Sequence, residues 1–450
     1  MRRFASQALF EGISHFLTPQ VWKQAHQTWQ PKYTSPRWTL TAMVKVLVTM
    51  TWCAADSLDE RFATARAVYV AGQQHNRRPG ATLTGFLQAL AKLPLAPLRA
   101  LANGMRARLA QEFVEPLRIG GYVPLACDGT RVECPRAAPL QRHLGEAGKP
   151  DSAPMLYLTT LVLLPLGLPW AWRWGKGTAN EHEHLRHLLP TLPERSLVVG
   201  DAFYMGYELL TDILQRGASF LVRLSSRTHL YTLTEKPLHH FREGLVYYWP
   251  QDTRAHGKRA SCVRPLRLRL LRVRGKKADV WLLTNVLDRK KLSRGSISQI
   301  YRWRWRNEGM FRVYKRTLRK TKLQSRTMPL VHREAEGSML ALQVMLAMAS
   351  TPARQMAVRP HQPSQTDSPR RTLLRLRSSI AGALRSLGPR QFASYCRDMQ
   401  KVRSQQRPRI SPKTRQHWPR KKEYKPPGPP QLRKLPDNLR CKLTRMLRAA

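Results

Sequence analysis

The spacing of apolar residues divides the chain into a helical first part and a mixed middle part. Over residues 1–115 apolar side chains recur at helical spacing between Pro and Gly stops, as in "LTGFLQALAKLPLAPLRALANGMRARLA". This pattern predicts a helical N-terminal domain over 1–115. From about residue 118 the apolar runs become short and strand-like, which predicts that a second domain begins there.

The middle of the chain alternates predicted strands with predicted helices. The runs "GYVPLACDGTRVE", "MLYLTTLVLL" and "PWAWRWG" are strand-like, "NEHEHLRHLLPTLP" is helical, and "SLVVGDAFY" is a strand that leads into the helix "MGYELLTDILQRG". Three strands, a helix, a strand and a helix form an α/β order. We therefore predict an α/β domain over residues 118–345.

The second half of this domain has three further predicted features. Residues 227–275 are polar and β-like, which predicts a β-rich insertion before the core strand "DVWLLTNVL" at 279–287. Residues 298–322 then read as one long cationic helix. The run "GSMLALQVMLAMAS" at 337–350 is apolar all round and predicts a buried helix that is too short to cross a membrane.

Charge identifies the class of partner. The 450 residues include 78 Lys or Arg and 28 Asp or Glu, a formal net charge of +50, while a 42% hydrophobic content supplies a core. Self-repulsion on this scale is tolerated when a polyanion neutralises it, so nucleic acid is the expected partner. Residues 351–450 alone hold 25 Lys or Arg and 4 acids, which predicts a basic, partly disordered C-terminal region that binds phosphates.

A basic membrane protein is the alternative class. The most apolar segment, residues 153–172, contains Pro165, Gly167 and Pro169, and this pattern favours a buried hairpin over a membrane span. Glu11 interrupts any signal-peptide core, which argues against secretion. The six cysteines show no CxxC and no zinc-ligand spacing, which is typical of reduced thiols in the cytoplasm.

Three carboxylates stand out, and each also has a purely structural interpretation. Asp128 in "PLACDGT" lies where a strand runs into a polar turn and could bond its own backbone. Asp201 in "LVVGDAFY" lies between a strand and a helix and could be an N-cap. Glu308 is the single acid in a cationic stretch and could pair with Arg304 and Arg312 at helical spacing.

Taken together, the three carboxylates predict a metal site. Two strand ends can lie at one edge of an α/β sheet, and a helix across that edge can deliver a third carboxylate. Mg²⁺ prefers such oxygen ligands, and two ions can promote phosphoryl transfer. On one straight helix, Tyr301, Arg304, Glu308 and Lys315 fall on a narrow stripe, so cations would flank the metal-binding glutamate.

The same four residues carry a resemblance to a known family. Tyr301, Arg304, Glu308 and Lys315, within "IYRWRWRNEGMFRVYK", resemble the Y-R-E-K signature of the insertion-sequence type 4 group of DDE transposases. The "DGT" that starts at Asp128 and "VVGDAFY" are similar to the first two catalytic motifs of that group. The resemblance covers about residues 118–345. It implies an RNase H-like catalytic core with a β-rich insertion, and cut-and-paste transposition that depends on Mg²⁺ or Mn²⁺, with two ions bound when DNA is present.

The resemblance also implies partners and a location. They are double-stranded DNA, both the terminal inverted repeats of an element and target DNA, no membrane, a dimer on DNA, and the nucleoid in the cytoplasm of a bacterium. Tyr301, Arg304, Arg312 and Lys315 would bind DNA, with Arg312 standing where relatives often have Lys or His. Trp281 could stack on a flipped base, or it could be a core residue of its strand.

Two other classes of function remain compatible with the sequence. A catalytically inactive protein that binds DNA without sequence preference would need only the charge, and an RNase H-like nuclease of another pathway would share the carboxylates. The stretch "NEHEHLRH" at 180–187 contains His184 and His187, but its spacing favours a solvated polar helix face over a metal site. The "GKGT" at 175–178 lacks the order of a P-loop, so no nucleoside triphosphate is expected.

Overall fold

The computed structural model describes most of the chain: residues 4–30, 37–72, 79–145, 147, 152–233, 237–250, 264–275, 278–354, 368–405, 428–435, 440, 443 and 444. Within these ranges the helices are α1 (Phe4–Phe16), α2 (Pro19–Gln27), α3 (Leu40–Trp52), α4 (Leu58–Ala71), α5 (Leu83–Lys92), α6 (Leu95–Leu109), α7 (Ala138–Leu144), α8 (Glu181–Leu188), α9 (Tyr207–Gln215), α10 (Arg294–Trp303), α11 (Arg306–Arg312), α12 (Met328–Arg354), α13 (Pro369–Arg385) and α14 (Pro389–Gln405). The strands are β1 (Val123–Glu133), β2 (Met155–Leu163), β3 (Leu168–Lys176), β4 (Ser196–Gly200), β5 (Ser219–Arg223), β6 (His229–Thr232), β7 (Glu243–Tyr248), β8 (Leu266–Val273), β9 (Val280–Thr284) and β10 (Gln431–Lys434).

The first part of the chain folds into α1–α6, which pack around α12. Helices α3, α4 and α5 begin where Thr39, Ser57 and Thr82 accept a hydrogen bond from a backbone N–H in the first turn. The α12 segment is nearly all buried from residue 334 to 347, as its apolar sequence predicts, and α3 and α6 pack against it. One helix therefore joins the N-terminal helices to the rest of the protein.

A ten-stranded mixed sheet forms the second layer, in the order β10-β6-β7-β8-β9-β5-β4-β1-β2-β3. Strands β1, β2 and β3 are antiparallel neighbours, whereas β1, β4 and β5 run parallel. The β2–β3 pair is the hairpin predicted at 153–172: every residue of β2 is buried, and Gly167 takes a φ of +67° in the connecting turn. No helix within the described ranges is long and apolar enough to cross a membrane.

Strands from the predicted insertion extend this sheet. β6, β7 and β8 lie within residues 227–275 and continue the sheet beyond β9 through antiparallel pairing. The outer edge is closed by β10, which pairs in parallel with β6 although about 200 residues separate them in sequence. The C-terminal region thus supplies two helices and an edge strand, which its charged, Pro-rich sequence did not indicate.

The prediction of one continuous helix over 298–322 is wrong. α10 ends at Trp303, α11 begins at Arg306, and a π-helical turn follows over Val313–Thr317. The Arg306 guanidinium donates hydrogen bonds to the carbonyls of Leu164 and Pro165, at the turn between β2 and β3. Because this contact binds α11 to a distant part of the chain, the break reflects tertiary packing that helix periodicity cannot predict.

Candidate active site

Asp128 lies within β1. The sequence placed it at the end of a strand, which is wrong: β1 continues to Glu133 because its pairing with β2 continues as far as Met155. The half-buried Asp128 carboxylate accepts a hydrogen bond from the backbone N–H of Gly129 at 2.9 Å, as a turn aspartate would. Its partner strand β4 stops earlier, at Gly200, so the Asp128 side chain lies at the edge that β4 leaves open.

Asp201 follows directly after β4, in register with Asp128. The parallel pairing aligns Ala126 with Val199, so each aspartate lies two residues beyond an aligned pair. The Asp201 carboxylate accepts from the backbone N–H of Phe203 at 2.8 Å and caps the short 3₁₀ turn Ala202–Tyr204. The N-cap interpretation therefore holds, and it places Asp201 beside Asp128.

Electrostatics tie these two aspartates together. Burial, joined by the charges of Glu181 and Asp201, raises the pKa of Asp128 to about 7, although the Gly129 N–H and Arg304 act in the opposite direction. Close carboxylates that cannot all ionise freely create a negative potential that favours a cation. The structure thus brings together two of the three predicted metal ligands.

Arg304 lies at the break between α10 and α11 and is buried. Burial lowers the pKa of Arg304, but Tyr301, Asp201 and Asp128 outweigh this effect, so that its pKa is raised above the usual value. Its guanidinium carbon lies 5.7 Å from the centre of the Tyr301 ring, which is also buried, and 4.9 Å from that of the exposed Trp305 ring. A fixed cation therefore faces the two aspartates from the α10–α11 side.

Glu308 is placed differently from the prediction. It lies in the first turn of α11, exposed to solvent, and the described residues provide no ion pair for its carboxylate. It does not pair with Arg304, which is buried, or with Arg312, which is exposed on the same helix. Because the helix breaks at 304–305 and again after 312, the straight stripe from Tyr301 to Lys315 does not form.

Lys315 nevertheless reaches the same edge of the sheet. Its ammonium donates a hydrogen bond to the Thr130 hydroxyl at 2.7 Å, and Thr130 stands two residues after Asp128 on the same face of β1. Burial lowers the pKa of Lys315. The π-helical turn thus brings a cation beside Asp128 along a path that a regular helix would not follow.

Comparison with known proteins decides the family. The family described as transposase DDE domain matches residues 120–344, which is half of the chain. The chain belongs to the transposase DDE domain family. In the cryo-EM structure of a piggyBac transposase synaptic complex with hairpin DNA, 88% of that chain aligns with 91% of this one at 12% identity and a TM-score of 0.43. No curated protein matches the sequence.

The transposase domain begins three residues before β1 and ends within α12, so it contains every residue of the candidate site. Trp281 is also inside it, on β9, but only 5% of its surface is exposed. Its ring packs against Phe241, and the Arg272 guanidinium lies 5.6 Å from the ring centre. This burial agrees with the core interpretation of Trp281.

The sequence interpretation missed one acidic residue of the site. Glu181, the first residue of α8, is half-buried, and burial raises its pKa while hydrogen bonds from Tyr204 and Tyr157 oppose that rise. The stretch 180–187 is not a solvated face, because His184 is buried too and its Nδ1 lies 2.8 Å from the Thr159 hydroxyl. Two acids and three histidines at a helix N-terminus could have signalled a buried polar contact, but not its partners.

The donors at this edge fit a hard divalent cation in part. Asp128 and Asp201 offer carboxylate oxygens, which Mg²⁺ and Mn²⁺ prefer, and a cation would relieve the repulsion that raises the pKa of Asp128. Across the described ranges, however, no three His, Cys, Asp or Glu side chains are grouped closely enough to hold a metal ion. The site is therefore a pair of aspartates without a third acid already in place.

Proposed function

We propose that this transposase cuts and joins DNA at the ends of its own insertion sequence, by cut-and-paste transposition of the insertion-sequence type 4 kind. The observation that carries the proposal is the aligned pair Asp128 and Asp201 on adjacent parallel strands, inside a transposase DDE domain. The strand order β3-β2-β1-β4-β5 would form its RNase H-like core, with β6–β8 as the inserted strands. The basic surface would bind the terminal repeats and target DNA, with the protein acting as a dimer in the bacterial nucleoid.

In this proposal the two aspartates and Glu308 would hold Mg²⁺ or Mn²⁺, with two ions expected once DNA is bound. The bound cation would supply charge for the attacking and leaving oxygens of a phosphoryl transfer. Glu308 is exposed on α11, directly after a helix break, so a small movement of α11 would let its carboxylate join the aspartates. DNA binding to the cationic face of that helix would supply the free energy for such a movement.

The cations of the site would position the DNA backbone. Lys315 is fixed beside Thr130, where its ammonium can contact a phosphate next to the scissile bond. Arg312 is exposed on α11 and can contact a second phosphate. Tyr301 and Arg304 are buried behind them, where Arg304 stabilises the ionised aspartates and the two rings near it hold its guanidinium.

The test is the variant Glu308→Gln, with Glu183→Gln as the control. Glu183 is exposed on α8, so its substitution removes an equal charge away from the aspartates. We expect Glu308→Gln to lower cleavage of DNA carrying the element ends by about 100-fold or more, because it removes a metal ligand. Binding in a gel-shift assay should change by less than about twofold, because the charge of one exposed acid is small beside the many cations that contact phosphates.

Three outcomes separate the candidate functions. Loss of cleavage with intact binding supports a metal-dependent transposase. Loss of binding and cleavage together assigns Glu308 a structural role. Absence of cleavage by the unmodified protein with Mg²⁺ or Mn²⁺ on its own element ends, with binding retained, supports a DNA-binding protein without catalytic activity.

A further inference from the structure

The N-terminus of α8 holds a carboxylate between two phenols. The Glu181 carboxylate accepts a hydrogen bond from the Tyr157 hydroxyl at 2.9 Å through Oε2, and from the Tyr204 hydroxyl at 2.5 Å through Oε1. Tyr204 is buried and Tyr157 is nearly so. A carboxylate that is partly removed from water and accepts two phenol hydrogen bonds is fixed in position far more firmly than a surface acid.

Both phenols belong to the segments that carry the catalytic aspartates. Tyr204 ends the 3₁₀ turn that Asp201 caps, and its side chain packs so closely under Gly200 that a Cβ there would come within 2.8 Å of the Tyr204 Cβ. The Tyr204 hydroxyl also forms a hydrogen bond with Cys127, the residue before Asp128. Tyr204 therefore connects the segments of the two aspartates directly.

Tyr157 makes the second connection. It lies on β2, paired with Arg131 of β1, and its hydroxyl reaches back over Gly129. A Cβ on Gly129 would come within 2.5 Å of the Glu181 Oε1 atom, so this close approach requires glycine directly after Asp128. Glu181 thus touches the β1 backbone next to one aspartate while it holds the tyrosine that follows the other.

The next residue of α8 strengthens the contact. The His182 Nε2 atom lies 2.7 Å from the backbone carbonyl oxygen of Phe203, inside the 3₁₀ turn that follows Asp201. The His182 ring also packs against the Phe203 ring, with 4.7 Å between their centres. The first turn of α8 therefore fixes both the backbone and the Tyr204 side chain of this turn.

We propose that Glu181 is a positioning residue that sets the separation of Asp128 and Asp201 through its hydrogen bonds to Tyr204 and Tyr157. The inference rests on the proposed function, because the separation matters only if the two carboxylates bind one cation. Both Glu181 oxygens are already engaged, and within the described part of the chain no three acids form a ready metal site. Glu181 therefore acts through its neighbours and is not itself a ligand.

The experiment measures Mn²⁺ binding by calorimetry at pH 8 with the full-length protein and no DNA. We expect Glu181→Ala and Tyr204→Phe each to weaken Mn²⁺ binding by about 10-fold or more, as loss of residues that orient metal ligands usually does. Glu181→Gln should recover most of the affinity, since its amide can accept from one phenol and donate to the other. The control Glu183→Gln, on the exposed side of the same turn, should bind like the unmodified protein.

Each outcome has a distinct meaning. Unchanged Mn²⁺ affinity in Glu181→Ala and Tyr204→Phe would overturn the positioning role while leaving the proposed function intact. Loss in both Glu181 variants as complete as in Asp128→Asn, with Tyr204→Phe unaffected, would make Glu181 a ligand and also overturn it. If the unmodified protein and Asp128→Asn bind Mn²⁺ equally, the proposed function itself fails. Because Tyr204→Phe removes one oxygen, it tests the same link if Glu181→Ala does not fold.

Discussion

Replacing Asp128 by Asn should stabilise the protein without metal, and more so at high pH. The ordinary pKa of an aspartate is 3.8, and in the folded protein the pKa of Asp128 is raised to about 7, by burial first and then by Glu181 and Asp201. The folded state therefore holds this proton more tightly than the unfolded state does. Unfolding releases the proton between those two pH values, so stability falls as the pH rises through this window.

The size of the effect follows from the same two pKa values. A difference of about three pH units, at about 1.36 kcal/mol per unit, corresponds to a cost of about 4 kcal/mol once Asp128 is ionised in both states. Near pH 5 the cost is about 2 kcal/mol, because the folded state still holds its proton there. Asn cannot ionise, and its side-chain oxygen can still accept from the Gly129 N–H. The stabilisation of Asp128→Asn should therefore grow by about 2 kcal/mol between pH 5 and pH 8.5.

Urea unfolding in the presence of a chelator measures this difference directly. The unmodified protein, Asp128→Asn and the control Glu183→Gln are unfolded at pH 5, 7 and 8.5, and the free energies are compared at each pH. The control should show no pH-dependent gain, because Glu183 is exposed. An Asp128→Asn gain that is the same at all three values, or that shrinks as the pH rises, would refute the reasoning. Adding Mn²⁺ should reverse the order at pH 8.5, since only the aspartate retains both ligands.

Three further predictions concern the rest of the chain. Glu334→Gln should lower the free energy of unfolding by about 3 kcal/mol or more, because it leaves the buried Lys320 ammonium without its 2.9 Å partner, and a loss below about 1 kcal/mol in urea unfolding would contradict this. Gly167→Ala should cost about 1 kcal/mol in the same assay, because its φ of +67° suits glycine, and an unchanged midpoint would refute the strain. Replacing the eight Lys and Arg of residues 406–427 by Gln should flatten the salt dependence of DNA binding by about 0.9 per phosphate lost, for specific and random duplexes alike; an unchanged slope would exclude a nonspecific role.

Local sequence patterns predicted the elements that depend on local chemistry. The buried hairpin of β2 and β3, the apolar helix within α12 and the strand that ends before Asp201 are all present. Each of these rests on apolar periodicity or on turn residues, which act over a few positions. The same patterns could also place Asp201 beside Asp128, because adjacent parallel strands bring equivalent positions together.

The features that the sequence could not reveal depend on distant contacts. The break at residues 304–305 accompanies the hydrogen bonds of Arg306 to carbonyls about 140 positions away. The buried role of Glu181 depends on Tyr157 and Tyr204, each more than 20 positions distant. The end of β1 is set by how far β2 pairs with it, and no local residue pattern marks that limit. The predicted helix at 435–447 lies mostly outside the described residues.

The position of α12 limits how this protein can be divided. One side of this helix meets the N-terminal helices, where the Trp52 Nε1–H donates to the Ala341 carbonyl at 3.2 Å. Its other side meets the outermost strand β3, where the Gln343 side chain donates to the Pro169 carbonyl at 2.9 Å and Glu336 accepts from Trp172 at 2.6 Å. Residues 1–115 expressed alone would expose the apolar surface that α12 covers, and the catalytic part without them would expose the opposite side of α12. A chimera that exchanges N-terminal helices between relatives should therefore remain soluble only when α12 is exchanged with them.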